Sequence, residues 1–270
     1  MSLESTLWAA PVALEMWRTQ SSTHHWADEN SHAWMYRDTG HKDGPVLVLL
    51  PGALGNGDTA WRIAQAFSDT HRVITVTYPC GVSPDDLADG LAGLLTHIGA
   101  PQVAIWGSSY GAWWAQSFAG RYLERVTALW LGNTMVNGDD VAHLPFFERN
   151  WLLTEPASHI VQRWHDLILK RPDDELRALQ LHMLHHGLAA QDFHNRLKQV
   201  AFAPAIEAAN GVSNIVIADC EDDALIAPHV RMNVASRYPN AMHITFTSGG
   251  HYPHVVRATE VVNAMKDWLG

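Results

Sequence analysis

Six short apolar runs recur along the chain: VLVLL (residues 46–50), RVITVTY (72–78), VAIW (103–106), VTALWL (126–131), NIVIA (214–218) and HITF (243–246). Each is rich in aliphatic or β-branched residues, apolar on both faces and bounded by turn formers, the pattern of strands buried on both sides in a parallel sheet. Helical periodicity separates them, over residues 58–67, 84–98, 110–121, 229–238 and 259–269. Strands alternating with helices predict an α/β fold with a mostly parallel, doubly wound sheet. Ahead of the first run, polar and apolar residues alternate loosely over residues 16–37, around THHWADENS, which predicts an antiparallel hairpin at a sheet edge.

The rhythm breaks once. Residues 134–205 carry helical segments such as ASHIVQRWHDLILK and DDELRALQLHMLHHGL but no strand pattern, and they read as a helical cap inserted into a core made of residues 1–133 and 206–270. Phe146, Phe147, Trp151, Leu152, Leu153 and Trp164 are too many large apolar residues for a solvent-facing insertion. Several should face the core across a pocket, with Trp151 and Trp164 as expected substrate contacts.

The third run leads straight into GSSYG and then the Trp-rich helical stretch YGAWWAQSFAGRY. GSSYG fits G-x-S-x-G in one register only, with Gly107 and Gly111 flanking Ser109. At a strand-to-helix turn this sharp the serine is held in a strained conformation, and the positions two before and two after it must be small. Ser109 is therefore the candidate nucleophile, and the Tyr110 amide, at a helix N-terminus, is a candidate oxyanion donor. A neutral serine needs a base, and the base an orienting acid, expected in the chain order acid, then histidine. After NIVIA comes DCEDDALIAP, a loop with four carboxylates, and after HITF comes TSGGHYPHVV. His251, behind two glycines, is the candidate base, and His254, a turn further on, is a candidate substrate contact or else a cap-facing group supporting the base.

On these motifs the chain resembles the α/β-hydrolase superfamily across most of its length. YPCGVSPDDLADG, GSSYGAWWAQSFA and YPNAMHITFTSGGHYPH resemble its maspardin-like branch. The resemblance implies the α/β-hydrolase fold and a triad acid followed by one variable and two aliphatic residues, which selects Asp223 ahead of Ala224, Leu225 and Ile226. Asp222 is the alternative if the branch's spacing to Tyr238 is followed, and Cys220 stands where the superfamily usually has glycine. The second oxyanion amide should come from PGALGNGDTAW, at Ala53, after Pro51 and Gly52. The superfamily's usual His-Gly is absent there, which spares the amide donor but removes a side chain that often braces the loop. A serine at the elbow argues against the dehalogenases and epoxide hydrolases of this fold, which use aspartate.

The activity implied is cofactor-free hydrolysis of a small, fairly apolar ester or lactone through an acyl-enzyme. A carbon–carbon bond hydrolase or lyase would use the same triad. The maspardin-like resemblance adds a rival of another kind, a non-catalytic binding protein or ligand receptor, against which the presence of all three triad residues weighs.

Composition narrows the partners. The 270 residues are 47% hydrophobic, enough for a large core, and 18 Lys and Arg against 28 Asp and Glu give a formal charge of -10. That balance, without clustered bases, argues against nucleic acid and for a small-molecule partner, with a homodimer the one protein association considered. Two distant cysteines, Cys80 and Cys220, suggest neither a disulfide framework nor a zinc site. The acidic N-terminal stretch does not read as a signal peptide, and no apolar run has membrane-spanning length, so a soluble, cytoplasmic protein is expected. The HMLHH histidines (182–186) share a helix face but have no further ligand at metal spacing, so they read as a cap-lining face. Trp113 and Trp114 read as core packing, and GALGNG lacks the G-K-[ST] of a phosphate loop.

Overall fold

The computed structural model describes residues 9–270. Residues 1–8, part of the stretch that argued against a signal peptide, lie outside them. The first half of the chain runs α1 (Ala9–Thr19), β1 (His24–Ala27), β2 (Ala33–Gly40), β3 (Val46–Leu50), a 3-10 turn (Gly57–Ala60), α2 (Trp61–Phe67), β4 (Arg72–Thr77), α3 (Pro84–His97), β5 (Val103–Ser108), α4 (Tyr110–Arg121) and β6 (Val126–Gly132). Two more 3-10 turns follow, Leu123–Arg125 ahead of β6 and Gly138–Val141 after it, and then come α5 (Arg149–Thr154), α6 (Ala157–Leu169), α7 (Glu175–His186) and α8 (Ala190–Ala201). The chain ends with β7 (Ile215–Cys220), α9 (Pro228–Ser236), β8 (Met242–Phe246), α10 (Pro253–Val256) and α11 (Ala258–Leu269).

The strands form one sheet in the order β1-β2-β4-β3-β5-β6-β7-β8. Every pairing from β4 to β8 is parallel, and β1 and β2 add an antiparallel hairpin at the edge. Burial on both faces explains the unbroken apolar runs. Val48 and Leu50 pack into one core with α3 and α4, while Leu47 and Leu49 pack into another with α1, α2 and α11. Trp113 and Trp114 are fully buried in the first, and Trp113 Nε1 donates to Val136 O at 3.0 Å. From β3 the chain steps to β4 on one side, then crosses to β5 on the other, leaving a crevice beyond the carboxyl ends of β3 and β5 where ligands bind in open α/β sheets.

Two expectations about local structure need correcting. Part of the segment read as hairpin is helix: Ala10, Leu14 and Trp17 fall on one face of α1 and are buried, and the strands begin only at His24. Pro11 does not prevent this, because in a first helical turn its missing N–H had no intrahelical acceptor to lose. The single helix expected at residues 58–67 is split, with Asn56 Oδ1 accepting from Asp58 N (3.0 Å) to start the 3-10 turn before α2. The interval between β6 and β7 holds helices and no strand among the described residues. None of the described helices is long and apolar enough to cross a membrane.

Candidate active site

Ser109 sits between β5 and α4 with φ +54° and ψ −122°, a backbone conformation that non-glycine residues avoid. Packing enforces the turn. A Cβ on Gly107 would lie 2.5 Å from Ala112 Cα, and one on Gly111 would lie 2.3 Å from Leu50 O. Both glycines of the motif are thus required by the closeness of α4 to β5 and β3. Gly52 sits close as well, since a Cβ there would lie 3.1 Å from Ser109 Cβ. That closeness lays the loop after β3 against the serine. The Ala53 and Tyr110 amides donate to no other protein group among the described residues, which leaves them free for an oxyanion.

The candidate acid and base meet across two loops. His251 Nδ1 lies 2.9 Å from Asp223 Oδ2, and Asp223 is 5% exposed. Asn133 Nδ2 donates to the same oxygen at 2.8 Å, while the other carboxylate oxygen accepts the amides of Leu225 (2.8 Å) and Ile226 (3.2 Å). Burial alone would raise the Asp223 carboxyl, but the neighbouring imidazole and these donors outweigh it and hold the group down to about 2. Asp222 is exposed and turned the other way, accepting from Gly249 N (3.2 Å) and Gly250 N (2.8 Å). It braces the glycine turn that presents His251, whose Gly250 has φ +56°. Of the two adjacent aspartates, the structure brings Asp223 to the histidine.

Ser109, His251, Ala53 and His254 line one small cavity of about 50 Å³. Phe147, Trp164, Leu197 and Val200, from the segment between β6 and β7, close it with Leu54 and Leu225. His254 is 7% exposed, edge-on to Trp106 at 5.2 Å between ring centres. Burial first, and then the neighbouring His251 and Arg62, push it down to about 3, so it is neutral at physiological pH. Trp151, expected beside Trp164, is not part of this lining. Its ring lies 4.6 Å from the Arg163 guanidinium, because the short helix α5 turns it toward α6 instead. The histidines of α7 also have local partners, with His182 Nε2 2.8 Å from Glu15 Oε1 on α1.

Three residues here went unseen in the sequence. Asn133, at φ +45° just beyond β6, joins Asp223 to Gly250 O (3.2 Å). Its signal was its place at the carboxyl end of the strand beside β5. Tyr252 lines the cavity next to His251. Arg196 on α8 is fully buried: its guanidinium donates to Gly55 O, to Tyr78 O (3.0 Å) and to Cys80 Sγ (3.3 Å), and stacks 3.9 Å from the Tyr78 ring. It braces the loop after β3, the task left open by the missing histidine.

Comparison with known proteins agrees with this fold. A family model described as "Alpha/beta hydrolase family" matches residues 47–264. Human maspardin is 25% identical over 245 residues, spanning 87% of this chain and 78% of that protein. Among solved structures, the enol-lactonase from Burkholderia xenovorans superposes with a TM-score of 0.76 at 16% identity, covering 91% of this chain and 99% of that one. The esterase RhEst1 from a Rhodococcus species gives 0.73 at 15% identity, covering 92% and 98%. At these identities the two structures speak to the fold alone.

Proposed function

The chain belongs to the alpha/beta hydrolase family, and from that premise we propose that it is a serine hydrolase cleaving a small, largely apolar carboxylic ester or lactone through an acyl-enzyme. One observation carries the reading: the 2.9 Å contact of His251 Nδ1 with buried Asp223, in a cavity shared with the strained Ser109. With Nδ1–H donated to Asp223, Nε2 is left as the basic nitrogen, the tautomer that can take a proton from a serine hydroxyl.

In this mechanism Ser109 Oγ attacks the carbonyl carbon while His251 Nε2 accepts its proton. The Ala53 and Tyr110 amides stabilise the oxyanion. His251 then returns the proton to the departing alkoxide, and water, deprotonated by the same nitrogen, releases the acid and restores Ser109. Residues 134–205 act as a cap whose Phe147, Trp164, Leu197 and Val200 make the acyl side narrow and apolar. The two cysteines are free, in keeping with a reducing cytoplasm. A carbon–carbon bond hydrolase remains a variant of the same chemistry.

The likeness to maspardin favours one other reading, a ligand-binding protein on a hydrolase scaffold. A fluorophosphonate probe separates the two. Labelling of the wild type that is lost in Ser109→Ala supports the enzyme, and an unlabelled wild type supports the binding protein.

A further inference from the structure

His251 lies between two cavities. Beyond the one it shares with Ser109 is a second, of about 210 Å³, and the two have Trp164, Leu225, His251 and Tyr252 in common. The second is walled by Phe146, Leu167 and Ile168, but it also holds polar groups without partners. Gln180 is 4% exposed, and its Oε1 has no hydrogen-bond partner among the described residues. The same is true of Trp164 Nε1 in the shared wall. Buried polar atoms left unpaired are costly, and native proteins keep them where a ligand or water completes them. Arg171 stands at the rim. Among the described residues it forms no ion pair: Asp173 is bonded to Arg177 at 2.6 Å, and Asp222, which lines the same cavity, accepts the Gly249 and Gly250 amides instead.

We propose that this second cavity is the leaving-group subsite and that it selects esters whose alcohol half ends in a carboxylate, held at the Arg171 guanidinium, with Gln180 Oε1 taking a hydroxyl or amide proton along the way. The assignment of sides follows from the chemistry. The acid that protonates the departing oxygen is His251, so that oxygen lies at the imidazole, and the rest of the alcohol extends past it into the larger space. The smaller cavity, with the oxyanion amides and apolar walls, keeps a short acyl group. The substrate class is then a short-chain acyl ester of a hydroxy acid, which narrows the apolar character of the hydrolase reading to the acyl half and leaves the alcohol half charged at its far end. Cleavage transfers the acyl group to Ser109 Oγ, releases the hydroxy acid with the proton from His251, and consumes one water in deacylation.

This rests on the hydrolase reading, and the test keeps the two apart. Acetate esters of ω-hydroxy acids of graded length are compared with the methyl esters of the same molecules, as a ratio of kcat/KM within each protein. At the fitting length the free acid should be preferred about tenfold. The ratio should fall to near one in Arg171→Ala and below one in Arg171→Glu. Because it is internal to each variant, a loss of folded protein does not mimic it. A wild-type ratio of one at every length, or a ratio unmoved by Arg171→Ala, overturns the proposal. Calorimetric titration of Ser109→Ala with the same esters supplies a readout without turnover. Carboxylate-dependent binding that disappears on adding Arg171→Ala, in a wild type that hydrolyses nothing, would leave the subsite standing and remove the hydrolase. Hydrolysis of p-nitrophenyl acetate with no carboxylate preference in either measurement would do the reverse.

Discussion

Replacing Asp223 by asparagine should be more damaging than its small change in shape suggests. The carboxylate accepts four donors, His251 Nδ1 and Asn133 Nδ2 on one oxygen and the Leu225 and Ile226 amides on the other. An amide has one accepting end. Turned to satisfy the two backbone N–H groups, it aims its own NH₂ at Asn133 and His251. The imidazole then answers by moving its proton to Nε2, the nitrogen that should receive the serine proton. The loss in kcat should be about 10⁴-fold, or roughly 5.5 kcal/mol of transition-state stabilisation, the size known for the wrong tautomer in serine proteases. Stability should fall as well. A carboxyl held at about 2 rather than the ordinary 3.8 contributes on the order of 2 kcal/mol to folding. Because the folded value is depressed, that contribution is complete above about pH 4 and is lost as the pH falls through about 2. The assay is p-nitrophenyl acetate hydrolysis, together with urea unfolding at neutral and acidic pH. Asp222→Asn is the control, since its acceptor role to Gly249 and Gly250 can be partly kept by an amide oxygen, and its loss should stay within about tenfold. A larger loss in Asp222→Asn than in Asp223→Asn would refute the assignment of the acid, and a stability difference that does not narrow toward acid would refute the electrostatic account.

Ser109→Ala should abolish turnover while thermal unfolding stays cooperative, whereas Ser108→Ala should keep most activity, and adding His251→Ala to Ser109→Ala should lower the rate little further because triad members act as a unit. Trp164→Ala should shift the preferred acyl length on an ester panel, by about 1 to 3 kcal/mol of discrimination per methylene, while Trp151→Ala, under Arg163 and away from the cavity, should leave the profile unchanged. Arg196→Met should lower kcat by about tenfold or more with a smaller change in KM, since the loop that carries the Ala53 amide loses its brace; an unchanged kcat in folded protein would show that the loop holds itself.

The parts of the site legible in the sequence are those whose cause is local. The elbow is written in five residues: the turn itself bars a side chain at Gly107, beside Ala112, while the demand on Gly111 comes from Leu50 of the neighbouring strand and shows only as the motif's second glycine; His251 is marked by its glycines and its place after the last strand. Asp223 needed the superfamily pattern as well, because two adjacent carboxylates look alike until their neighbours are known. What stayed hidden depends on contacts between distant segments. Arg196 is an ordinary basic residue of α8 until Gly55, Tyr78 and Cys80 are brought round it. Trp151 and Trp164 share one composition argument, and only the direction in which α5 and α6 present them separates a lining residue from a packing one. In α1, Ala10, Leu14 and Trp17 carry a helical period that is short and runs directly into the looser alternation of the hairpin, which masks it.

In the proposed mechanism, the contact of Arg196 with the loop after β3 would couple two things usually thought of separately, access to the site and its readiness to react. A swing of α8 away from the sheet would take the guanidinium off Gly55 O and Tyr78 O and expose a buried charge that has no carboxylate partner in its present bonds. The same movement would release the loop that aims the Ala53 amide at the oxyanion. An open form would therefore be chemically idle, and it would regain its electrophilic hole only as the arginine returned. If the proposed mechanism holds, such an arrangement would confine attack on a carbonyl to molecules small enough to be enclosed, since an ester meeting the open form would find a serine without its oxyanion amide.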